Sequence, residues 1–272
     1  MDKLTFLLSI LKYSITNPQA FKQLLQSTYQ VWQDSVKENS IYKYENKKLE
    51  IEEIIHSLFP DENYSINNFK RNIQELQDHA NEFFNKLQNE KYPSKTKPYP
   101  LDYSLDNKSG FFLYVLCKIM RPSKVVETGV AYGLSSMYIL QALYENKNGT
   151  LYSIDYVFRP WESEQMIGSA IPSYLRSKWK LVFGPSSKKL NELLFSLGSI
   201  DIFFHDSLHT SKNMIYEFET AWPFINKKSF LISDDVSGNN VFYEFCSKLN
   251  LDFMTLLQRT EDNSFFGIVR KP

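Results

Sequence analysis

KVVETGVAYGLSSMYIL, Lys124–Leu140, decides the fold. Two valines, stiff at χ1 and suited to a pleated sheet, run into the acidic Glu127. Gly129 and Gly133 then mark a turn. Ser135 and Ser136 stand where a helix N-terminus wants hydroxyls, and the apolar run that follows has helical length. Strand, tight loop and helix follow one another without a spacer. The same alternation recurs downstream, with short strands predicted at Leu151–Ile154, Lys180–Phe183, Ile200–Phe204 and Phe230–Ile232. Segments of helical length separate them, the pattern of an α/β fold whose parallel sheet is covered on both faces. The end of the chain reads differently: DFMTLLQ, a polar turn RTEDN and SFFGIVRK predict an antiparallel hairpin.

Residues 1–92 contain no glycine and read as a helical region preceding a sheet-containing domain over residues 93–272. In INNFKRNIQELQDHANEFFNKLQ, the residues Phe69, Ile73, Leu76, Ala80, Phe83 and Leu87 recur every three or four positions. That spacing predicts one helix with an apolar stripe, capped by Ser65. Phe21, Leu24, Leu25 and Trp32 predict another helix, and Ile51, Ile54, Ile55 and Leu58 a third. His56 and His79 within this region are read as surface or packing residues. The opening MDKLTFLLSILKYSIT predicts an amphipathic helix packed on the body, too short to span a bilayer and without a cleavage pattern. These helices are also a plausible homodimer surface. The segment 89–110, with three prolines and much charge, is expected to be an extended linker whose Tyr99 and Tyr103 cover a neighbouring pocket.

Lys plus Arg and Asp plus Glu both number 31, so the net charge is zero, which argues against a nucleic-acid partner held by a broad basic surface. Two cysteines, Cys117 and Cys246, are too few for a disulfide framework and fit a reducing cytoplasm.

In open parallel sheets ligands bind beyond the carboxyl ends of the strands. A dinucleotide fingerprint needs glycines at 129, 131 and 134, where this chain has Gly129, Ala131 and Leu134. A ligand without phosphates relaxes that demand, and S-adenosylmethionine is such a ligand. Gly129 and Gly133 would admit close approach of the backbone, and Ser135 would face its carboxylate. Glu127 would accept from its ammonium group, and Asp155 from both ribose hydroxyls.

With VVETGVAYGLSSMYILQAL, GTLYSIDY, IDIFFHDSLHTSKNMIYEFETAWPFI and FLISDDV on the page, the chain resembles class I S-adenosylmethionine-dependent methyltransferases. More narrowly it is similar to the macrolide-sugar O-methyltransferase and cephalosporin-tailoring family. The resemblance spans about residues 99–236 and implies a Rossmann-like seven-stranded sheet with an antiparallel last strand. It implies the same cofactor roles for Glu127, Gly129, Ser135 and Asp155. Two departures stand out: Gly184, Pro185 and Ser186 replace the usual Gly-Asp-Ser, leaving adenine to Ser186 or to backbone. NKKSF replaces a pair of glycines before the fifth strand, which changes a turn.

Asp206 and His209 follow the fourth strand, and a helical turn there would put both on one side. Asp234 and Asp235 follow the fifth. Three carboxylates, Asp206, Asp234 and Asp235, suit a hard divalent cation such as Mg²⁺. A neutral imidazole at His209 suits removal of a proton from an acceptor hydroxyl. In the sugar-methylating relatives an aspartate, a histidine three residues on and a later acidic pair fill these roles. His205 is read as structural, Met214, Phe218 and Trp222 as core, and Glu217 and Glu219 as a solvated face. The expectation is therefore a methyltransferase acting on a small-molecule hydroxyl of sugar or secondary metabolism. Alternatives are N-methylation of a small molecule or peptide, or an inactive cofactor-binding partner subunit.

Overall fold

Seven strands form one sheet in the order 3-2-1-4-5-7-6: β1 Lys124–Thr128, β2 Thr150–Asp155, β3 Trp179–Phe183, β4 Ile200–His205, β5 Ile225–Ser233, β6 Phe253–Arg259 and β7 Ser264–Arg270. The structure is a computed structural model that describes residues 3–36, 41–62, 64–101, 105–259 and 264–272, the side chains of 3–9 and 259 excepted. β1 to β5 pair in parallel, while β7 runs antiparallel between β5 and β6, so the predicted hairpin and reversed last strand are present. Most of the polar turn RTEDN, and Tyr103, lie outside the described residues.

Alternate residues of a strand point to opposite faces, and the sheet therefore carries two cores. Val125, Ile202, Phe204, Phe230 and Ile232 face one side. Val126, Phe203 and Leu231 face the other. The first face is covered by α6 (Asn107–Met120), α7 (Leu134–Glu145) and three helices of the N-terminal region: α3 (Ile51–Leu58), α4 (Ile66–Asn72) and α5 (Gln74–Gln88). The second is covered by α8 (Ser186–Leu197), α9 (Ser211–Ala221) and α10 (Val241–Lys248). Ile51, Ile54, Ile55 and Leu58, spaced for one helix face, are all buried in the same core as the central strands. The change of composition near residue 92 is thus crossed by packing.

Three expectations are corrected. The single helix predicted over 66–88 is interrupted at Ile73, whose φ of −103° and ψ of 5° separate α4 from α5, although the apolar stripe survives and Ser65 does cap α4. The extended linker ends early, because the Asp106 carboxylate accepts from the Ser109 amide at 2.8 Å and starts α6 inside it. NKKSF is part of β5 rather than a turn, with Lys228 taking a left-handed φ of 62°.

Ahead of these lie α1 (Lys3–Thr16) and α2 (Pro18–Ser35), and α2 leans on the body through polar contacts. Gln30 accepts from the Thr210 hydroxyl at 2.7 Å, and Asp34 accepts from the Ser211 amide at 2.6 Å. Both bonds hold the segment between β4 and α9. Leu25, Tyr29 and Trp32, at spacings of four and three, remain exposed on α2, as does Val36 just beyond its end. Among the described residues no helix is long and apolar enough to cross a membrane. Cys117 and Cys246 are both buried and free.

Candidate active site

β1 and β4 are adjacent, while the chain leaves them toward opposite edges of the sheet. The crevice between their carboxyl ends is where such folds bind ligands. A cavity of about 520 Å³ opens there, lined by residues that follow β1, β2, β3, β4 and β5 and by Gln23 of α2. That volume suits a cofactor-sized molecule.

The loop after β1 forms the floor. Gly129 has φ +82°, and a Cβ on it would lie 2.0 Å from the Asp206 carbonyl oxygen. Gly133, at φ +91°, would drive a Cβ to 2.8 Å from the Ile171 side chain. Both glycines are therefore demanded by the chain's own packing as well as by the turn. Glu127 is fully buried beneath this loop. Its carboxylate accepts from the hydroxyls of Ser135, Ser136 and Ser153 at 2.6, 2.6 and 2.7 Å. Burial raises its pKa against the pull of those three hydroxyls. Glu127 does not line the cavity, whereas Ser135 does, so the acid reaches the cavity through a serine rather than facing a ligand itself.

Asp155 ends β2 and does line the cavity. One of its oxygens accepts from the amides of Val130 and Ala131, both at 3.0 Å, and the other from the Tyr156 amide at 2.6 Å. Burial, only partly offset by these amides, pushes its pKa up to about 6. Ser186, at the start of α8, lines the cavity beside Gly184 and Pro185. The segment after β2 adds Arg159 and Glu162, paired at 2.7 Å, with Glu162 only 1% exposed.

At the other end the residues after β4 and β5 meet. No helical turn begins at Asp206, since α9 starts only at Ser211, yet Asp206 and His209 do converge. His209 Nε2 lies 3.9 Å from Asp206 and 3.7 Å from Asp234. Single ligand atoms of Asp206, His209 and Asp234 all lie within 4.8 Å of one another. Asp235 lines the same cavity but stands outside this group, and its carboxylate accepts from the Ser264 hydroxyl at 3.2 Å. Burial, and then the Asp234 carboxylate, hold the Asp206 carboxyl well above the usual range. Burial lowers the pKa of His209 and so favours the neutral ring, whose Nε2 has no hydrogen-bond partner among the described residues. Two crowded carboxylates, Asp206 and Asp234, are a donor set that a hard divalent cation would relieve. Arg159 is the one Lys or Arg among the described residues lining the cavity, and Glu162 already pairs with it.

Glu217 is a correction: it is fully buried rather than solvated. It lies 2.6 Å from His205 Nδ1 and accepts from the hydroxyls of Thr128 and Ser207 at 2.5 and 2.8 Å. Burial pushes its carboxyl up, but the His205 ring, with the Ser186 and Thr128 hydroxyls, holds it below its ordinary value. The signal was present in the sequence, for Met214, Glu217, Phe218 and Ala221 share one helix face, and an acid on an apolar stripe announces a buried partner. Glu219 is exposed, as expected, and bonds Lys248. His205 is buried beneath the crevice, its ring 5.3 Å from that of His209.

Residues 126–236 match the family described as Methyltransferase domain (Methyltransf_24). No curated protein matches the sequence. Among solved structures, the O-methyltransferase from Bacillus cereus in complex with SAH is 16% identical, with a TM-score of 0.53 over 84% of this chain and 100% of that one. The O-methyltransferase TomG from Streptomyces achromogenes, involved in tomaymycin synthesis and solved with SAM, is 14% identical, with a TM-score of 0.52 over 85% and 99%. The SAH-bound methyltransferase from Podospora anserina is 12% identical, with a TM-score of 0.53 over 87% and 100%. In its sheet order and glycine loop, and in the match over residues 126–236, the central part of the chain is similar to methyltransferase domains of the class I fold.

Proposed function

We propose that the protein transfers the methyl group of S-adenosylmethionine to a hydroxyl of a small molecule, a sugar or another natural product, with His209 as the base. The observation that carries this reading is the Nε2 of His209, without a hydrogen-bond partner among the described residues and held between two carboxylates in the cavity that also holds the glycine loop and Asp155. When bound, S-adenosylmethionine supplies an electrophilic methyl group, and a divalent cation such as Mg²⁺ at Asp206 and Asp234, with Asp235 beside them, supplies charge that acidifies the acceptor hydroxyl.

The chain's own residues do the rest. Asp155 holds the ribose, Ser135 faces the amino-acid tail, and Ser186 stands at the adenine end. Asp206 and Asp234 orient the acceptor, and His209 Nε2 receives its proton, burial favouring the neutral ring that can take it. Methyl transfer needs no oxidant, since the acceptor oxygen forms the new C–O bond as the C–S bond breaks. The family match and the O-methyltransferases among similar folds support this reading. The convergence of Asp206, His209 and Asp234 favours one variant, in which His209 is a third ligand of the cation rather than the base.

The test is calorimetric titration with S-adenosylmethionine, followed by release of S-adenosylhomocysteine over a panel of hydroxylated sugars and natural products. Binding is expected in the micromolar range, about −8 kcal/mol. Absence of binding sinks the reading, and methylation confined to amines replaces it with the N-methyltransferase alternative.

Asp155 carries a prediction of its own. Asp155→Ala weakens cofactor binding by ~1–3 kcal/mol, as for loss of hydrogen bonds to a charged group. Its carboxyl titrates at about 6, so lowering the pH through that value protonates it and removes acceptor capacity. Wild-type affinity should therefore decline between pH 8 and pH 5, while the variant's stays nearly flat. Equal affinities of the two proteins at pH 8 would remove the ribose assignment.

A further inference from the structure

Tyr99 belongs to the segment between α5 and α6 and is 7% exposed. Its backbone is clamped, for the carbonyl accepts from the Tyr132 hydroxyl at 2.9 Å and the amide donates to the same oxygen at 3.3 Å. Its ring meets that of Tyr132 edge to face, with centroids 5.2 Å apart. Packing and backbone thus fix the side chain, and the fixed ring lines the same cavity as Asp155, Tyr156 and Glu162. The hydroxyl at its end is buried and has no hydrogen-bond partner among the described residues.

A buried hydroxyl without a partner destabilises the fold that holds it, and a rigid side chain aimed into a cavity has no rotamer by which to escape. Such a group is accounted for when a ligand completes it. The chemistry of its surroundings narrows the ligand atom. Burial first, and then the carboxylates of Asp155 and Glu162, push the Tyr99 phenol far above its ordinary range, so it remains a hydrogen-bond donor at any physiological pH. Asp155 accepts from three amides and Glu162 from Arg159 and two amides, and neither carboxylate lies within hydrogen-bond reach of the phenol. A donor beside two carboxylates calls for a neutral oxygen. A carboxylate placed there would be repelled by both.

We propose that Tyr99 is a cofactor-binding residue whose hydroxyl donates to a ribose oxygen of S-adenosylmethionine, with Asp155 accepting from the same sugar. This rests on the cavity being the cofactor site. It makes the segment ahead of α6 a wall of that site and not merely a connection, and it supplies a donor where Asp155 supplies only acceptors.

The experiment uses the full chain, Tyr99→Phe, and two probes: S-adenosylmethionine and 5′-methylthioadenosine, which keeps the ribose and lacks the amino-acid tail. The phenyl ring preserves the contact with Tyr132 and leaves the backbone bonds untouched. Titration calorimetry should show affinity for both probes reduced about three- to tenfold, the loss of one hydrogen bond. The ligand-free variant should melt at the wild-type temperature or above it, because the deleted hydroxyl had no partner. These opposite signs distinguish a ligand contact from a structural one. Unchanged affinity for both probes overturns the proposal, as does a lowered melting temperature of the ligand-free variant. Weakened binding of S-adenosylmethionine alone overturns the ribose assignment and moves the hydroxyl to the amino-acid tail. Failure of the wild-type protein to bind either probe overturns the cofactor reading, and this proposal with it.

Discussion

Replacing His209 with alanine lowers turnover by ~10²–10⁴-fold while cofactor affinity stays nearly intact, the range expected when a general base is removed. The imidazole lies 3.7 and 3.9 Å from the nearest oxygens of Asp234 and Asp206, and no residue among those described takes its Nε2. The variant's pH profile should lack the ascending limb that the imidazole causes. Chelation should abolish turnover, with Mg²⁺ or Mn²⁺ restoring it, and Asp206→Asn or Asp234→Asn should raise the cation concentration needed. The two roles open to His209 then separate. As base, its removal leaves the cation requirement unchanged. As third ligand, its removal raises that requirement and part of the activity returns at high metal. Full activity in chelator with a dead His209 variant would leave a histidine-based, metal-independent enzyme. Full activity of both the variant and the chelated protein would reduce these residues to structure around the cofactor.

Deleting residues 1–60 should leave the rest unable to fold. The deletion removes Ile51, Ile54, Ile55 and Leu58, buried against strands of the central sheet. At roughly 1.5–3 kcal/mol for each buried side chain the loss is on the order of 6–12 kcal/mol. A whole domain has only ~5–15 kcal/mol to lose. Tyr44 goes as well, with the bonds it makes to Asn239, Tyr243 and Thr255 on the opposite side of the molecule. The truncated chain is expected in the insoluble fraction, or soluble without a cooperative thermal transition. A soluble, fully active truncation would show the region to be an independent appendage. Removing α1 and α2 alone is a gentler change. It leaves the core intact while freeing Thr210 and Ser211 from Gln30 and Asp34, so it should affect turnover more than stability.

Regular periodicities were legible in the sequence because each reflects a face that must be buried. β-Branched and aromatic runs separated by helical lengths declared the parallel sheet. The hairpin at the end declared the reversed strand, and spacings of three and four declared α2, α3 and α5. Strand ends were legible too, and with them the crevice, since Asp155 ends a strand and Asp206, Asp234 and Asp235 come within two residues after one. What a side chain faces was legible only in part. The acid of Glu217 on an apolar helix face was a signal of burial, whereas nothing local distinguished Tyr99 from the other tyrosines of a polar, proline-containing segment.

By itself, then, the sequence determined the element order, the two-faced sheet and the set of polar residues delivered to one edge of it, because hydrophobic period and strand termination are properties of neighbouring residues. Only the tertiary structure decided which of those residues meet. Glu127 and Asp155 both attend the first loop, yet one is sealed beneath three serines and the other opens into the cavity. Asp206, His209 and Asp234 converge while Asp235 turns to Ser264, and Tyr99 is carried from the linker to the cavity by its bonds with Tyr132. Those outcomes depend on strand register, on a left-handed turn and on contacts between residues far apart in the chain, where no local periodicity carries information.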